Sequence, residues 1–226
     1  MMSEYGRGSS RIDRITEGLI SSALREVDQR YSPGGEKPMF YHNKDHTLMV
    51  MDSATSIATV LIGAGKIKSE KLPLVRYAAA VHDVVHGLSS GINERQSADI
   101  AVENMRRAGI YSDDEIAEVE AMILATVMHS GGEHDFQANG DRLLQEVLVD
   151  ADLSLLGMPR PIFWKAVLNL RREQLGRAEL TNAEIEQFAK DEIGFLQSRE
   201  FYTNAARQLF PHKQTNIEWL KAFTLT

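Results

Sequence analysis

The stretch Leu72-Pro-Leu-Val-Arg-Tyr-Ala-Ala-Ala-Val-His-Asp-Val-Val-His86 decides the fold and points to the chemistry. Its apolar residues, among them Leu74, Val75, Tyr77, Ala78, Val81, Val84 and Val85, recur at helical spacing and not in two-residue alternation. They predict a buried helix from Leu72 to His86, broken by Gly87 to Gly91. Small residues (Ala78, Ala79, Ala80) lead directly into the pair His82-Asp83. A carboxylate inside such a helix is costly unless it is paired or coordinated, and a bound cation would satisfy both side chains.

Outward from this stretch the chain reads as helices throughout. Ile12, Ile15, Leu19, Leu24 and Val27 share one helical face, and Ser32-Pro-Gly-Gly35 makes a loop. Asn43 is a suitable N-cap for a helix to about Ile62. A helix over Asn93 to Ala108 is closed by Gly109, and Ser112-Asp-Asp-Glu115 is a capping box that opens a helix running towards His129. A polar loop from Ser130 to Gly140 precedes a helix over Arg142 to Leu155, closed by Gly157 and Pro159. Pro161 to Gly176 follows, and a second capping box, Thr181 to Glu184, opens a helix to about Leu196. Phe201 to Phe210 and Pro211 to Phe223 add two more. There is no long two-residue alternation, repeat or linker. The expectation is a flexible N-terminus over residues 1–10 and one all-α domain over 11–226, with roughly eight to ten helices.

Composition narrows the function. With 226 residues, 43% hydrophobic and 25% charged, the chain can bury a sizeable core. A net charge of −7 argues against a broad nucleic-acid surface. A small anionic substrate stays open, because a bound cation and a few arginines can reverse the field inside one pocket. The absence of cysteine removes disulfides, thiolate nucleophiles and Cys-ligated zinc. Met1 to Arg14 lacks the apolar core of a signal peptide, and no apolar run reaches the roughly 18 residues of a membrane span. A cytoplasmic location without a membrane partner is expected.

Four of the seven histidines lie in two short stretches, His42 and His46 in Tyr-His-Asn-Lys-Asp-His and His82 and His86 in His-Asp-Val-Val-His. A further acidic site, Leu148-Val-Asp-Ala-Asp-Leu153, again sets carboxylates in an apolar helix. Imidazole with carboxylate suits a borderline divalent cation such as Mn, Fe, Co, Ni or Zn. Two His and two Asp would leave coordination positions for water and substrate.

This ordered set resembles the HD superfamily of metal-dependent phosphohydrolases, and within it the branch described as predicted metal-dependent HD phosphohydrolases. The resemblance rests on Tyr41-His-Asn-x-x-His46, His82-Asp83, Asn93-Glu-x-x-Ser-Ala98, Thr126-x-x-His129, Asp150-Ala-Asp-Leu-Ser-x-Leu-Gly157 and Arg171-x-Glu173, and covers about residues 41 to 207. It implies an HD-type helical domain with a divalent cation (Mn, Fe, Co, Ni, Zn or Mg) held by His46, His82, Asp83 and Asp152. Asp152 is taken over Asp150 because the family's Ala-Asp-x-Leu form is met at Ala151-Asp152, in Ala151-Asp152-Leu153-Ser154, with Ser154 in place of the final Leu. The implied activity is hydrolysis of a phosphate ester or anhydride of a small phosphorylated substrate, expected to be a nucleotide, by a metal-activated water. Nucleotidase, nucleotide pyrophosphatase and phosphodiesterase chemistry all fit. Asp83 would also orient the water, and Glu94 would position groups or transfer a proton. His42, Asn93, His129, Arg171 and Arg172 would contact substrate or support the ligands.

Two positions depart from the branch. His86 stands where an aromatic residue is usual, and Gln174 where Tyr is frequent. The doubled histidine of binuclear HD phosphodiesterases is missing, so one ion is expected. Plainer readings compete: Glu94 as a helix N-terminal acid, His86 as a helix-end residue, Asp150 bonded to backbone, and Arg171 and Arg172 as a solvated face. The alternative function is a nucleotide-binding regulatory module whose HD site does not turn over.

Overall fold

The computed structural model describes residues 5–89, 91–129 and 133–224. Among these residues ten α-helices form an all-α domain: α1 (Tyr5–Tyr31), α2 (Lys44–Gly63), α3 (Leu72–Val81), α4 (Ile92–Ala108), α5 (Asp113–Leu124), α6 (Arg142–Asp152), α7 (Arg160–Leu175), α8 (Asn182–Ser198), α9 (Asn204–Leu209) and α10 (Lys213–Phe223). No strand occurs among the described residues; the one β-type pairing is an isolated bridge between Met128 and His134. α1 already begins at Tyr5, inside the terminus expected to be flexible, and residues 1–4 lie outside the described residues.

The expected caps form. The Asn43 side chain accepts from the Asp45 amide, and Ser112 and Thr181 make reciprocal capping boxes with Glu115 and Glu184. Gly109 and Gly176 close α4 and α7 with left-handed backbone.

α2 lies at the centre, packed on α3 on one side and α6 on the other. Its buried residues His46, Val50, Ser53, Ala54 and Ile57 follow the helical period along one stripe. Among the described residues, α2 alone is long and apolar enough to cross a membrane, where no such run was expected. Much of it is buried against its neighbours, as a core helix is. α1 covers α3, α4 pairs with α5, and α8 with α10 closes the C-terminal side.

α3 is shorter than the apolar period implies. It stops at Val81: His82 N still bonds to the Ala78 carbonyl, Val84 N turns to the Val81 carbonyl, and side chains from other helices take backbone amides from Val85 on. Ser97 Oγ accepts from Val85 N (3.1 Å), Tyr31 Oη from His86 N (2.8 Å) and Asn93 Oδ1 from Leu88 N (2.9 Å). Arg30 donates to the Val84 carbonyl (3.1 Å). These bonds replace the i→i−4 ladder, and His82-Asp83 therefore sits in a clamped turn and not within a helix. α5 likewise ends at Leu124, short of His129, and α6 at Asp152, followed by a 3₁₀ turn over Leu153–Gly157. A Cβ on Gly157 would lie 2.1 Å from the Phe210 carbonyl oxygen, so this glycine permits a close crossing with the α9–α10 link.

Candidate metal centre

Three helix ends meet at one point. His46 lies in the first turn of α2, His82 and Asp83 follow the last residue of α3, and Asp152 is the last residue of α6. The C-terminal ends of α3 and α6 carry negative partial charge, which favours a cation between them.

The four side chains converge. His46 Nε2 lies 3.4 Å from Asp83 Oδ2 and 3.4 Å from Asp152 Oδ1; His82 Nε2 lies 3.3 Å and 3.6 Å from the same two oxygens. His46 and His82 are buried, and neither His46 nitrogen nor His82 Nε2 makes a hydrogen bond. Two buried imidazoles beside two carboxylates would normally bond to them at 2.7–3.2 Å. The observed spacing instead matches ligands on one ion, since bonds of about 2.1 Å at tetrahedral or octahedral angles separate ligand atoms by about 3.0–3.5 Å. His82 Nδ1–H donates to the Ala79 carbonyl (2.8 Å), which fixes the tautomer and turns the Nε2 lone pair toward the cluster. The residues therefore fit a divalent cation.

The electrostatics agree. Burial opposes protonation of His46 and His82, yet the carboxylates of Asp83 and Asp152 outweigh it and raise both rings. Burial also opposes ionisation of Asp83 and Asp152, and the facing imidazoles hold both carboxyls down. In this arrangement a cation competes with protons for the same lone pairs.

A second trio flanks Asp83. Glu173, on α7, accepts from the Tyr41 amide (2.8 Å) and the His42 amide (3.0 Å) through Oε2, and its Oε1 takes the His42 Nδ1 proton in a short contact. His42 stacks on His86, with ring centroids 3.8 Å apart. His86 Nδ1 is buried without a hydrogen bond, 3.6 Å from Asp83 Oδ1. Burial raises the Glu173 carboxyl, but His42 and the two amides bring it down to about 2. Burial lowers His42 below the usual imidazole value despite Glu173.

Two cavities open beside the cluster. One of about 500 Å³ reaches from Tyr41, His42 and Asp152 into a wall that includes Leu156, Leu170 and Phe188. Among the described residues no Lys or Arg lines it. Glu192 is buried in its wall, and burial with no offsetting hydrogen bond pushes this carboxyl up to about 7. The other, of about 340 Å³, lies on the far side of Tyr41 and His46 and includes Lys165. The Tyr41 phenol, held well above its usual value by burial and then by Asp152 and Asp83, stays a hydrogen-bond donor between the two.

Of the residues expected here, His46, His82, Asp83 and Asp152 come together, with His42 beside them. The others do not join. Glu94 Oε2 accepts from the Gly91 amide (2.5 Å) and so caps α4. Asn93 shapes the turn that carries His82-Asp83. His129 is half exposed, pairs with Asp135 (3.0 Å), and lines a separate groove with Arg95. The Arg171 guanidinium lies over the Phe188 ring and does not line the large cavity, and Arg172 bonds to Asn169 and the Ala178 carbonyl. Asp150, buried, accepts from the Tyr202 and Thr203 amides (both 2.7 Å), the backbone role weighed for it. Lys44 and Arg95 pair with Asp28 and Glu120.

Sequence reasoning passed over three residues. Glu173 stood in a recognised motif but was credited only through its arginine neighbours. His86 was read as a helix-end residue. Glu192 gives no sequence signal, being one acid on an amphipathic helix. The chain matches no protein-family model and no curated protein, so the geometry of its own residues carries the reading of this centre.

Proposed function

We propose that the chain is a metal-dependent phosphohydrolase of the HD type, acting on a small phosphorylated substrate of nucleotide class. One observation carries the reading: the Nε2 atoms of His46 and His82, buried and without a hydrogen bond, lie 3.3–3.6 Å from carboxylate oxygens of Asp83 and Asp152, at the mouth of an apolar cavity of about 500 Å³. A divalent cation bound there supplies Lewis acidity toward a phosphoryl oxygen and makes water a better nucleophile near neutral pH.

The chain's own groups supply the rest. Asp83 orients the attacking water as well as holding its place in the ligand set. Tyr41 donates a hydrogen bond from its phenol to a phosphoryl oxygen, and Lys165 adds positive charge on the far side of His46. The large cavity takes the organic part of the substrate. Its apolar wall suits a ring, and Glu192 supplies an acceptor, or a donor when protonated, for the edge of a base. Its lack of a lining cation favours one phosphoryl group at the cluster over a polyphosphate extended into the cavity.

The test is product formation (phosphate, pyrophosphate or the opened phosphodiester, separated by chromatography) by protein stripped of metal and reloaded with Mn, Co, Ni, Zn or Mg, over nucleoside mono-, di- and triphosphates and cyclic nucleotides, with Asp83→Ala in parallel. The expected result is metal-dependent turnover, highest on monophosphates, that falls at least about 10³-fold in the variant. Tight metal binding with no turnover across the panel would favour the regulatory-module reading instead.

A further inference from the structure

We infer that Glu192 selects the base of the substrate: its carboxylate takes two adjacent N–H donors on one edge of guanine, so the large cavity prefers a guanine nucleotide. This rests on the cavity holding the organic part of a nucleotide, as proposed above, and names which one.

Phe188, Glu192 and Phe195 stand at i, i+4 and i+7 on α8, share one helical face and all line the cavity of about 500 Å³. Glu192 is only 6% exposed. Among the described residues its carboxylate has no hydrogen bond and no ion pair, and burial alone sets its acidity. A buried carboxylate without a partner is a costly exception, and inside a cavity it marks the place where a ligand's donors belong. Its neighbour Asp191 lines the same cavity but is exposed and accepts from the Gln187 amide (2.9 Å), so it is already satisfied. Each phenyl ring beside Glu192 carries a guanidinium over it, Arg171 at 5.1 Å from the Phe188 centroid and Arg199 at 4.8 Å from that of Phe195. Held in this way, the two rings offer a planar base apolar surface one turn before and one turn after the carboxylate.

The donor pattern decides the base. An ionised carboxylate has acceptors only. Guanine presents N1–H and its N2 amino group side by side on its Watson–Crick edge, one donor for each oxygen. Adenine and cytosine set one amino donor beside a bare ring nitrogen, so the second carboxylate oxygen would face a lone pair. Uracil offers a single N–H between two carbonyls. The Glu192 carboxyl, at about 7, is mainly ionised at pH 8, and a matched pair of N–H donors favours that form further. A site that leaves its own buried polar group unpaired on the wrong ligand discriminates more strongly than apolar contact does.

The experiment is isothermal titration of guanosine, inosine and adenosine into the full, metal-stripped chain at pH 8, for native protein and Glu192→Gln. A nucleoside carries no phosphate, so this readout depends on neither the ion nor turnover. Native protein is expected to bind guanosine at least about 10-fold more tightly than adenosine, and more tightly than inosine, which lacks the N2 amino group. In Glu192→Gln the side-chain amide offers one acceptor and one donor, the match for adenine, so the order of guanosine and adenosine should reverse with unchanged helical circular dichroism. Asp191→Asn should keep the native order; loss of the preference there would overturn the assignment to Glu192. Equal binding of the three nucleosides, no guanosine binding by native protein, or a guanosine preference that survives in Glu192→Gln would overturn the inference and leave the hydrolase reading standing. A guanosine preference that reverses in Glu192→Gln, in a chain that turns over no nucleotide with any metal, would support the base assignment and overturn the hydrolase reading.

Discussion

Asp150 and Asp152 stand two residues apart at the end of α6, and their surroundings could hardly differ more. Asp150 is buried with each oxygen filled by a backbone amide of the α8–α9 link. Asp152 faces two imidazoles that it approaches without bonding. Two residues along a helix turn the side chain through about 200°, so one position faces the chain's own backbone and the other the cluster. The difference separates a carboxylate that finishes the fold from one that the fold leaves unfinished. Unfinished polar groups in a buried place are where a ligand belongs.

Substitution breaks or sharpens this contrast. The largest effect is expected at Asp152. Asp152→Asn should weaken the metal step by more than about 100-fold, because losing even a group that only supports a ligand costs 10–100-fold; isothermal titration of metal into the stripped protein measures it. Asp150→Ala should leave that affinity within a few-fold of native while removing about 3 kcal/mol of stability in chemical denaturation, since it orphans two buried amides. If the two variants trade places, with Asp150→Ala losing the metal and Asp152→Asn the stability, the division of labour is wrong.

A third carboxylate sharpens the contrast through pH. Glu192 has a folded value raised by burial to about 7, against an ordinary value of 4.5. Its neutral form is the one that folding favours. Its contribution to stability is therefore complete below about pH 4.5 and is lost as pH rises through about 7, to the extent of roughly 3 kcal/mol. The native-minus-Glu192→Gln difference in stability, measured from pH 4 to 8, should fall over that window. A flat difference would mean that Glu192 already has a partner.

The smallest effect concerns the turn that carries His82-Asp83. Ser97→Ala removes the acceptor for the Val85 amide and should cost about 1–2 kcal/mol. It should also loosen the metal step, which an effect on stability alone would not do.

Local features were legible in the sequence. Asn43, Ser112 and Thr181 announced helix starts, and Gly109 and Gly176 announced ends, because caps act within four residues. The end of α3 was not legible. Apolar spacing carries on through Val84 and Val85, and what stops the helix is Tyr31, Asn93 and Ser97 arriving from α1 and α4. The same bonds explain the Asn93-Glu-x-x-Ser97 pattern as scaffolding for the turn, where sequence reasoning had given Glu94 a part in the chemistry. The four converging side chains were legible through the family resemblance, the choice of Asp152 over Asp150 included; the apolar setting of His82-Asp83 showed only that these two polar groups need a partner. Glu173 was not, because its partners Tyr41 and His42 lie about 130 residues away and its near neighbours are arginines.

The central claim is that His46, His82, Asp83 and Asp152 are the ligands of one divalent cation. Anomalous diffraction from crystals grown with manganese tests it most directly. The account predicts an anomalous peak bonded to His46 Nε2, His82 Nε2 and the Asp83 and Asp152 carboxylates. No peak at this point, with hydrogen bonds closing His46 and His82 onto the two aspartates instead, would contradict it.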